Sequence, residues 1–393
     1  MNPAARPLSI AILGTRGIPA RYGGFETFAE ELSARLVARG HSVTVYARPR
    51  YAVPGVRTHR GVRVIVRPTI STKHLDTVVH AFVTSIDAAF RRFDVALYCN
   101  AATAPFVPIV RLFSRRTRVV LNVDGIERRR RKWGPLGRLW YAIGERAAAS
   151  FPHAIVADAR EIARYWRERH GMDAPFIAYG APTERAGGTE AIRRLGLEAG
   201  GYVLYVSRLE PENHALAVVR AFRRVKTDKR LVVVGDAPYA RGYVARVKAE
   251  AAGDPRIVFP GAIYGEPYRE ILSHAALHVH GTEVGGTHPA LLEAMGVGHA
   301  VLVLDTPENR EAGGDAVEYF ALEPEDELAG RLAALLAGGE RAAALGARAL
   351  ARVREHYDWE RVADAYETLF RPALARPAQP SYTGERKPPG RSR

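Results

Sequence analysis

A chain of 393 residues, 47% of them apolar, is long enough for two domains of ordinary size. It holds no apolar run of the ~20 residues a membrane span needs and no signal-peptide pattern, so a cytoplasmic location is expected. Its single cysteine, Cys99, excludes an internal disulfide and argues against a thiolate metal cluster, while the net charge of +15 sits in one half: residues 1–180 carry 29 Lys and Arg against 13 Asp and Glu, residues 181–393 carry 28 against 29. Such a field suits an anionic partner, whether nucleic acid, a phospholipid surface or a phosphorylated acceptor.

In chain order, residues 8–13 form an apolar strand that runs into Gly14-Thr15-Arg16-Gly17-Ile18-Pro19 and Tyr22-Gly23-Gly24-Phe25-Glu26. Phe25, Phe28, Leu32 and Leu36 then recur at helical spacing until Gly40, and 42–46 is the next strand. The glycines do not spell G-x-G-x-x-G and no acid ends the second strand, which discounts a nicotinamide dehydrogenase. Strands follow at 62–66, 95–99 and 119–123, with helices around 78–90 and 104–113. The alternation predicts a parallel, doubly wound sheet whose ligand lies at the carboxyl ends of the strands. Asn122-Val123-Asp124-Gly125-Ile126-Glu127 falls at such an end and leads into Arg128 to Arg131, Lys132 and Trp133, a cationic run beside an aromatic that suits a headgroup surface or a pyrophosphate. A solvated charge run is the other reading of it. Nucleic acid ranks below both, because no helix-turn-helix, zinc-finger or RNA-recognition pattern is present.

After a strand at 154–157 and a helix at 159–170, Gly, Pro and charge cluster through 181–201 and predict a linker. A second unit starts with the strand 202–206, which leads into Ser207-Arg208-Leu209-Glu210-Pro211-Glu212-Asn213. Strands at 231–234, 257–259, 275–280 and 300–304 follow. After the third of these comes Val284-Gly285-Gly286-Thr287-His288-Pro289, opening a helix that carries Glu293. Glycines let a backbone approach a ligand closely, and free N–H groups at a helix start favour an anion, so this loop suits a diphosphate, with Glu293 placed for ribose hydroxyls. Arg208 offers a planar fork to a phosphate, or else an ion pair to Glu210. Residues 359–370 predict an amphipathic helix, and 376–393, rich in Pro, Arg and Gly, a disordered basic tail.

Taken together, these four loops make the chain resemble the family 4 retaining glycosyltransferases of the GT-B fold, and within them the rhamnosyltransferase-like group, over roughly residues 8–372. The resemblance implies an α/β architecture of two Rossmann-like doubly wound domains facing across a cleft: 1–180 on the acceptor side, 181–201 linking, 202–357 binding the donor, and 358–375 crossing back. It implies a nucleoside diphosphate sugar as donor, with Gly23, Gly24, Arg208, Asn213, Gly285, Gly286, Thr287 and Glu293 around it. Asp124, Glu127, Arg128, Lys132 and Trp133 would face a glycan or lipid-linked acceptor. Asp124, Arg208 and Glu293 would be the catalytic set, with no metal or other cofactor and with peripheral attachment to the inner face of an anionic membrane. The wider family has a Glu where Gly285 stands and a Lys where Asn213 stands; Glu283 is two positions from a replacement. A nucleotide-sugar epimerase and a non-catalytic sugar-nucleotide-binding subunit are the alternatives.

Overall fold

The structure, a computed structural model, describes residues 6–72, 75–123, 125, 127, 133–324 and 326–371. The first domain runs β1 (Ser9–Leu13), α1 (Gly24–Ala38), β2 (Ser42–Ala47), β3 (Thr58–His59), β4 (Val62–Val66), α2 (Leu75–Arg91) and β5 (Val95–Cys99). It continues through α3 (Val107–Phe113), β6 (Arg118–Val123), α4 (Pro135–Ser150), β7 (Ala154–Ala157) and α5 (Arg160–His170). A short helix, α6 (Glu190–Arg194), lies inside the stretch expected as a linker, and its Ile192 is buried.

The second domain runs β8 (Tyr202–Val206), α7 (Ala215–Arg224), β9 (Arg230–Val234), α8 (Arg241–Glu250), β10 (Ile257–Gly261), α9 (Gly265–Ser273), β11 (Leu277–His280) and α10 (Pro289–Gly296). Then come β12 (Ala300–Leu304), α11 (Pro307–Gly313), β13 (Glu318–Phe320), α12 (Asp326–Ala337), α13 (Gly339–His356) and α14 (Trp359–Phe370). Residues 376–393 lie outside the described residues. The helix expected over 104–113 is shorter: Ala101–Phe106 is a 3-10 turn capped by Asn100, whose side chain accepts from Ala102 N at 2.9 Å, and α3 follows. Pro105 and Pro108 remove two of the N–H groups a longer α-helix would use.

Strand order is β3-β4-β2-β1-β5-β6-β7 in the first sheet and β10-β9-β8-β11-β12-β13 in the second, parallel throughout except for β3 against β4. Both orders reverse direction, between β1 and β5 and between β8 and β11, and in a doubly wound sheet a crevice opens at that reversal, beyond the strands' carboxyl ends. The apolar runs of the strands follow from burial on both faces. Ile10 and Ile12 pack toward α1 and α14, while Ala11 and Leu13 pack toward α2 to α5. In the second sheet Tyr202 and Leu204 face α10 and α13, and Val203 and Tyr205 face α7 and α12. Helix α14 sits on the first domain: Asn122 Nδ2 donates to Tyr366 OH at 2.7 Å, Arg118 Nε to Leu369 O at 2.7 Å, and Arg39 pairs with Glu360 and Asp364 at 2.7 and 2.6 Å.

Candidate active site between the two sheet reversals

Arg208 follows β8, on one side of the second sheet's reversal. Its loop is built from below by buried polar groups: Asn213 Nδ2 donates to Arg208 O at 2.6 Å, and Tyr205 OH, itself accepting from Ser207 Oγ at 2.7 Å, donates to Asn213 O. Asn213 therefore supports the loop's backbone, and its side-chain amide nitrogen is committed there. The Arg208 side chain is 31% exposed, 3.5 Å from Glu210, and Glu210 accepts from Tyr239 OH at 2.8 Å. Burial opposes its charge, but Glu210 first, then Tyr239 and, from the first domain, Tyr22 and Glu127, outweigh that and hold its pKa above the ordinary value. The ion-pair reading of Arg208 holds, since it pairs with Glu210, and first-domain groups also act on its charge.

On the other side of the reversal, β11 ends at His280 and the glycine loop begins. Gly285 has φ 157°, and a Cβ there would lie 2.5 Å from His288 Nε2, so only glycine fits. His288 Nδ1 lies 3.2 Å from His280 Nε2 and 3.0 Å from Asn309 Oδ1, while Asn309 Nδ2 donates to Thr282 O and Leu304 O at 3.0 and 2.9 Å. This buried chain pins the loop to β11 and β12. Burial, then His288 and His278, lower the pKa of His280 well below the ordinary value, so it is neutral at physiological pH. Glu293, one turn into α10, accepts from Tyr268 OH at 2.6 Å, and its pKa is raised by burial against that hydrogen bond. Glu283 is taken by His214, 3.2 Å away.

The first domain meets these loops directly. Gly23 caps α1 and Gly24 begins it; a Cβ on Gly24 would lie 3.0 Å from Pro289 Cγ. A Cβ on Gly125, just after β6, would lie 3.1 Å from Gly285 Cα. Glu127 accepts from Trp133 Nε1 at 3.0 Å. Asp124, Arg128 and Lys132 lie outside the described residues. Arg16 rides 3.5 Å over the Tyr22 ring, with its backbone N–H on Glu26 at 2.8 Å.

Sequence reasoning passed over Asp158, fully buried at the end of β7. Thr287 donates to it twice, from N to Oδ2 at 3.1 Å and from Oγ1 to the backbone O, and the carboxylate lies where a Cβ of Gly286 would be. Its place at a strand's carboxyl end was the available signal. Glu311, on α11, accepts from Arg160 N at 2.9 Å and so joins the domains too. Tyr22 and Glu127 thus stand within electrostatic reach of Arg208, and Gly24, Gly125 and Gly286 pack across the domain boundary against Pro289, Gly285 and Asp158, with Gly23 just before α1 and Thr287 committed to Asp158. Asn213 lies beneath the rim, and Glu293 lies along α10 within electrostatic reach of Glu31 on α1. Among the described residues no group of three His, Cys, Asp or Glu side chains is placed to hold a metal ion.

Residues 22–185 match the family described as Glycosyltransferase Family 4, and residues 200–338 match the family described as Glycosyl transferases group 1. No curated protein sequence matches the chain. Among solved structures, it is similar to a sucrose-phosphate synthase from Thermosynechococcus elongatus at 17% identity and TM-score 0.76, covering 92% of this chain and 98% of that one. HepE of Anabaena, in complex with UDP-glucose, is 16% identical with TM-score 0.74 over 92% and 99%. A UDP-forming α,α-trehalose-phosphate synthase from Burkholderia xenovorans, with glucose-6-phosphate, is 11% identical with TM-score 0.70 over 92% and 100%.

Proposed function

We propose that this chain, a glycosyltransferase of the GT-B fold similar to family 4, moves a hexose from a nucleoside diphosphate sugar to a hydroxyl of a glycan or lipid-linked acceptor with retention at the anomeric carbon. The observation that carries the reading is Arg208, charged and half-buried at the second sheet's reversal, paired with Glu210 and within electrostatic reach of Tyr22 and Glu127 in the first domain. The acceptor oxygen bonds to the anomeric carbon as the bond from that carbon to the diphosphate breaks, and the hydroxyl proton passes to a leaving phosphate oxygen. Negative charge grows on the diphosphate, so donors fixed in advance at that point lower the barrier. Arg208 and the glycine N–H groups of the two loops have that role, Thr287 N being bonded to Asp158, with no step assigned to a metal ion. Asp124 and Glu127 orient the acceptor or the transferred sugar, and Glu293 takes the ribose.

UDP-linked sugars are the donors to screen first, since HepE holds UDP-glucose and the trehalose-phosphate synthase is UDP-forming; rhamnosyl donors come next, from the sequence resemblance. A donor that binds only the folded chain raises its melting temperature. The true donor is expected to do so and to be turned over with acceptor, in the presence of a metal chelator as in its absence. Arg208→Ala is expected to lower kcat by about 100-fold, as loss of one charge-stabilising donor does. Full turnover by Arg208→Ala, or turnover abolished by the chelator, would contradict the reading.

A further inference from the structure

Helices α2 to α5 cover one face of the first sheet, and the outer surface of α2 to α4 carries large apolar side chains where a solvent-facing surface is polar. The inward side of α4 is already packed: Gly137, Tyr141, Gly144 and Ala148 are buried, and a Cβ on Gly144 would lie 2.6 Å from Ala101 O. Its outward side nevertheless repeats Leu136, Leu139 and Ile143, exposed by 81, 58 and 43%, at the i, i+3, i+7 spacing of a single stripe. Rings carry the stripe across to α2, from Trp140 to Phe106 at 6.0 Å and from Phe106 to the half-exposed Phe82 at 5.8 Å. A helix apolar on both sides is covered on both, and a contiguous exposed apolar patch marks a contact surface. The second domain has no counterpart: from residue 202 on, the large exposed apolar side chains among the described residues are Tyr239 and Tyr264.

Charge identifies what covers it. The described residues of 75–151 carry eight Arg against five Asp and Glu. On α2 to α4 Asp87 is taken by Tyr46, Arg67 and Arg91, Asp76 by Arg48, and the buried Glu145 by Tyr165. Arg138 and Arg146 stand exposed on α4 beside the stripe. A second copy of the chain would bring two such cationic faces together, whereas an anionic bilayer offers both apolar depth and opposite charge.

We propose that this face, centred on α4, seats the protein on an anionic phospholipid surface, with Leu136, Leu139, Ile143 and Phe82 among the upper acyl chains and Arg138 and Arg146 at the headgroup phosphates. The seat is joined to the cleft through Trp133, whose ring is 5.3 Å from Tyr141 on α4 and whose Nε1 holds Glu127. If the cleft transfers sugar as proposed above, its acceptor rim is thereby set at the level where lipid-linked hydroxyls emerge; the docking itself does not depend on that chemistry.

The test is sedimentation of the full chain with vesicles of phosphatidylglycerol and phosphatidylcholine, against phosphatidylcholine alone. Binding is expected to the anionic vesicles only and to weaken with salt. Leu136→Ser/Leu139→Ser/Ile143→Ser is expected to weaken it by roughly tenfold or more, and Arg138→Ser/Arg146→Ser by about fivefold per cation removed. Unchanged melting temperatures show that the variants fold; should the apolar variant not fold, the Arg variant decides alone. Wild-type protein left in the supernatant, folded variants that bind as wild type does, or a wild-type dimer that the apolar variant turns into monomer would overturn the proposal. Vesicle binding by a protein that turns over no donor would support docking and count against the functional reading alone.

Discussion

Arg208 and Gly285 show what a single position contributes here. A guanidinium held above its ordinary pKa by Glu210 and Tyr239 keeps its charge at every pH the fold survives, so it is ready for a diphosphate without titrating. Gly285 stands where the wider family carries an acid, and the close approach of His288 explains why no side chain is present. Gly285→Ala is expected to cost about 1–3 kcal/mol of stability, because the added methyl meets the imidazole at a backbone angle L residues seldom adopt. Thermal unfolding reads that directly, and a melting temperature equal to wild type would show that the loop is looser than its hydrogen bonds indicate.

At the level of elements, the glycine loop and the start of α10 are held by the first domain as well as by their own. Asp158 at the end of β7 accepts both Thr287 groups, with Arg160 on Glu311 as a second tie. Asp158→Ala leaves the Thr287 N–H unpaired at a closed contact, while Thr287 Oγ1 keeps its backbone acceptor, and the loss is expected to cost about 1–3 kcal/mol. Faster amide exchange across residues 285–288 is the expected sign; exchange at the wild-type rate would mean that the contact does not hold the cleft shut. This tie was not legible in the sequence, since nothing in Ala157-Asp158-Ala159 names a partner 129 positions away. The same holds for Tyr268 on Glu293 and for Asn309 beneath His288: each comes from an element whose own pattern reads as ordinary helix. Most strands were legible, because runs such as 202–206 and 300–304 are uninterrupted apolar segments bounded by turn residues, whereas α4, α8, α9, α12 and α13 have no counterpart in the sequence reading. Pro105 displaced the start of the helix expected at 104, and α2 begins at Leu75, ahead of the expected 78.

For the whole molecule, the two-sheet architecture and its cleft could be read from alternating periodicity and from loops at strand ends, but which loops touch could not. Burial has a consequence for acid stability. His80, His278 and His299 are neutral in the fold, with pKa values lowered to about 4, 3 and 4, in each case mainly by burial. The unfolded chain takes up these protons first, so their contribution is complete above the ordinary value of 6.5 and is lost as pH falls toward 4. Each histidine is expected to cost about 1.4 kcal/mol of stability per pH unit inside that window. Thermal unfolding should therefore drop steeply between pH 6.5 and 5; a flat profile would place protons on these rings in the folded state.

The central claim is that Arg208 and the facing glycine loops hold a diphosphate. Calorimetric titration of the nucleoside diphosphate released by the true donor, into wild type and Arg208→Ala, tests it most directly. The account predicts one site in the wild type and a loss of about 2–3 kcal/mol on removing the guanidinium, as for a charge-assisted hydrogen bond to an anion. Equal affinity in the two proteins would contradict it.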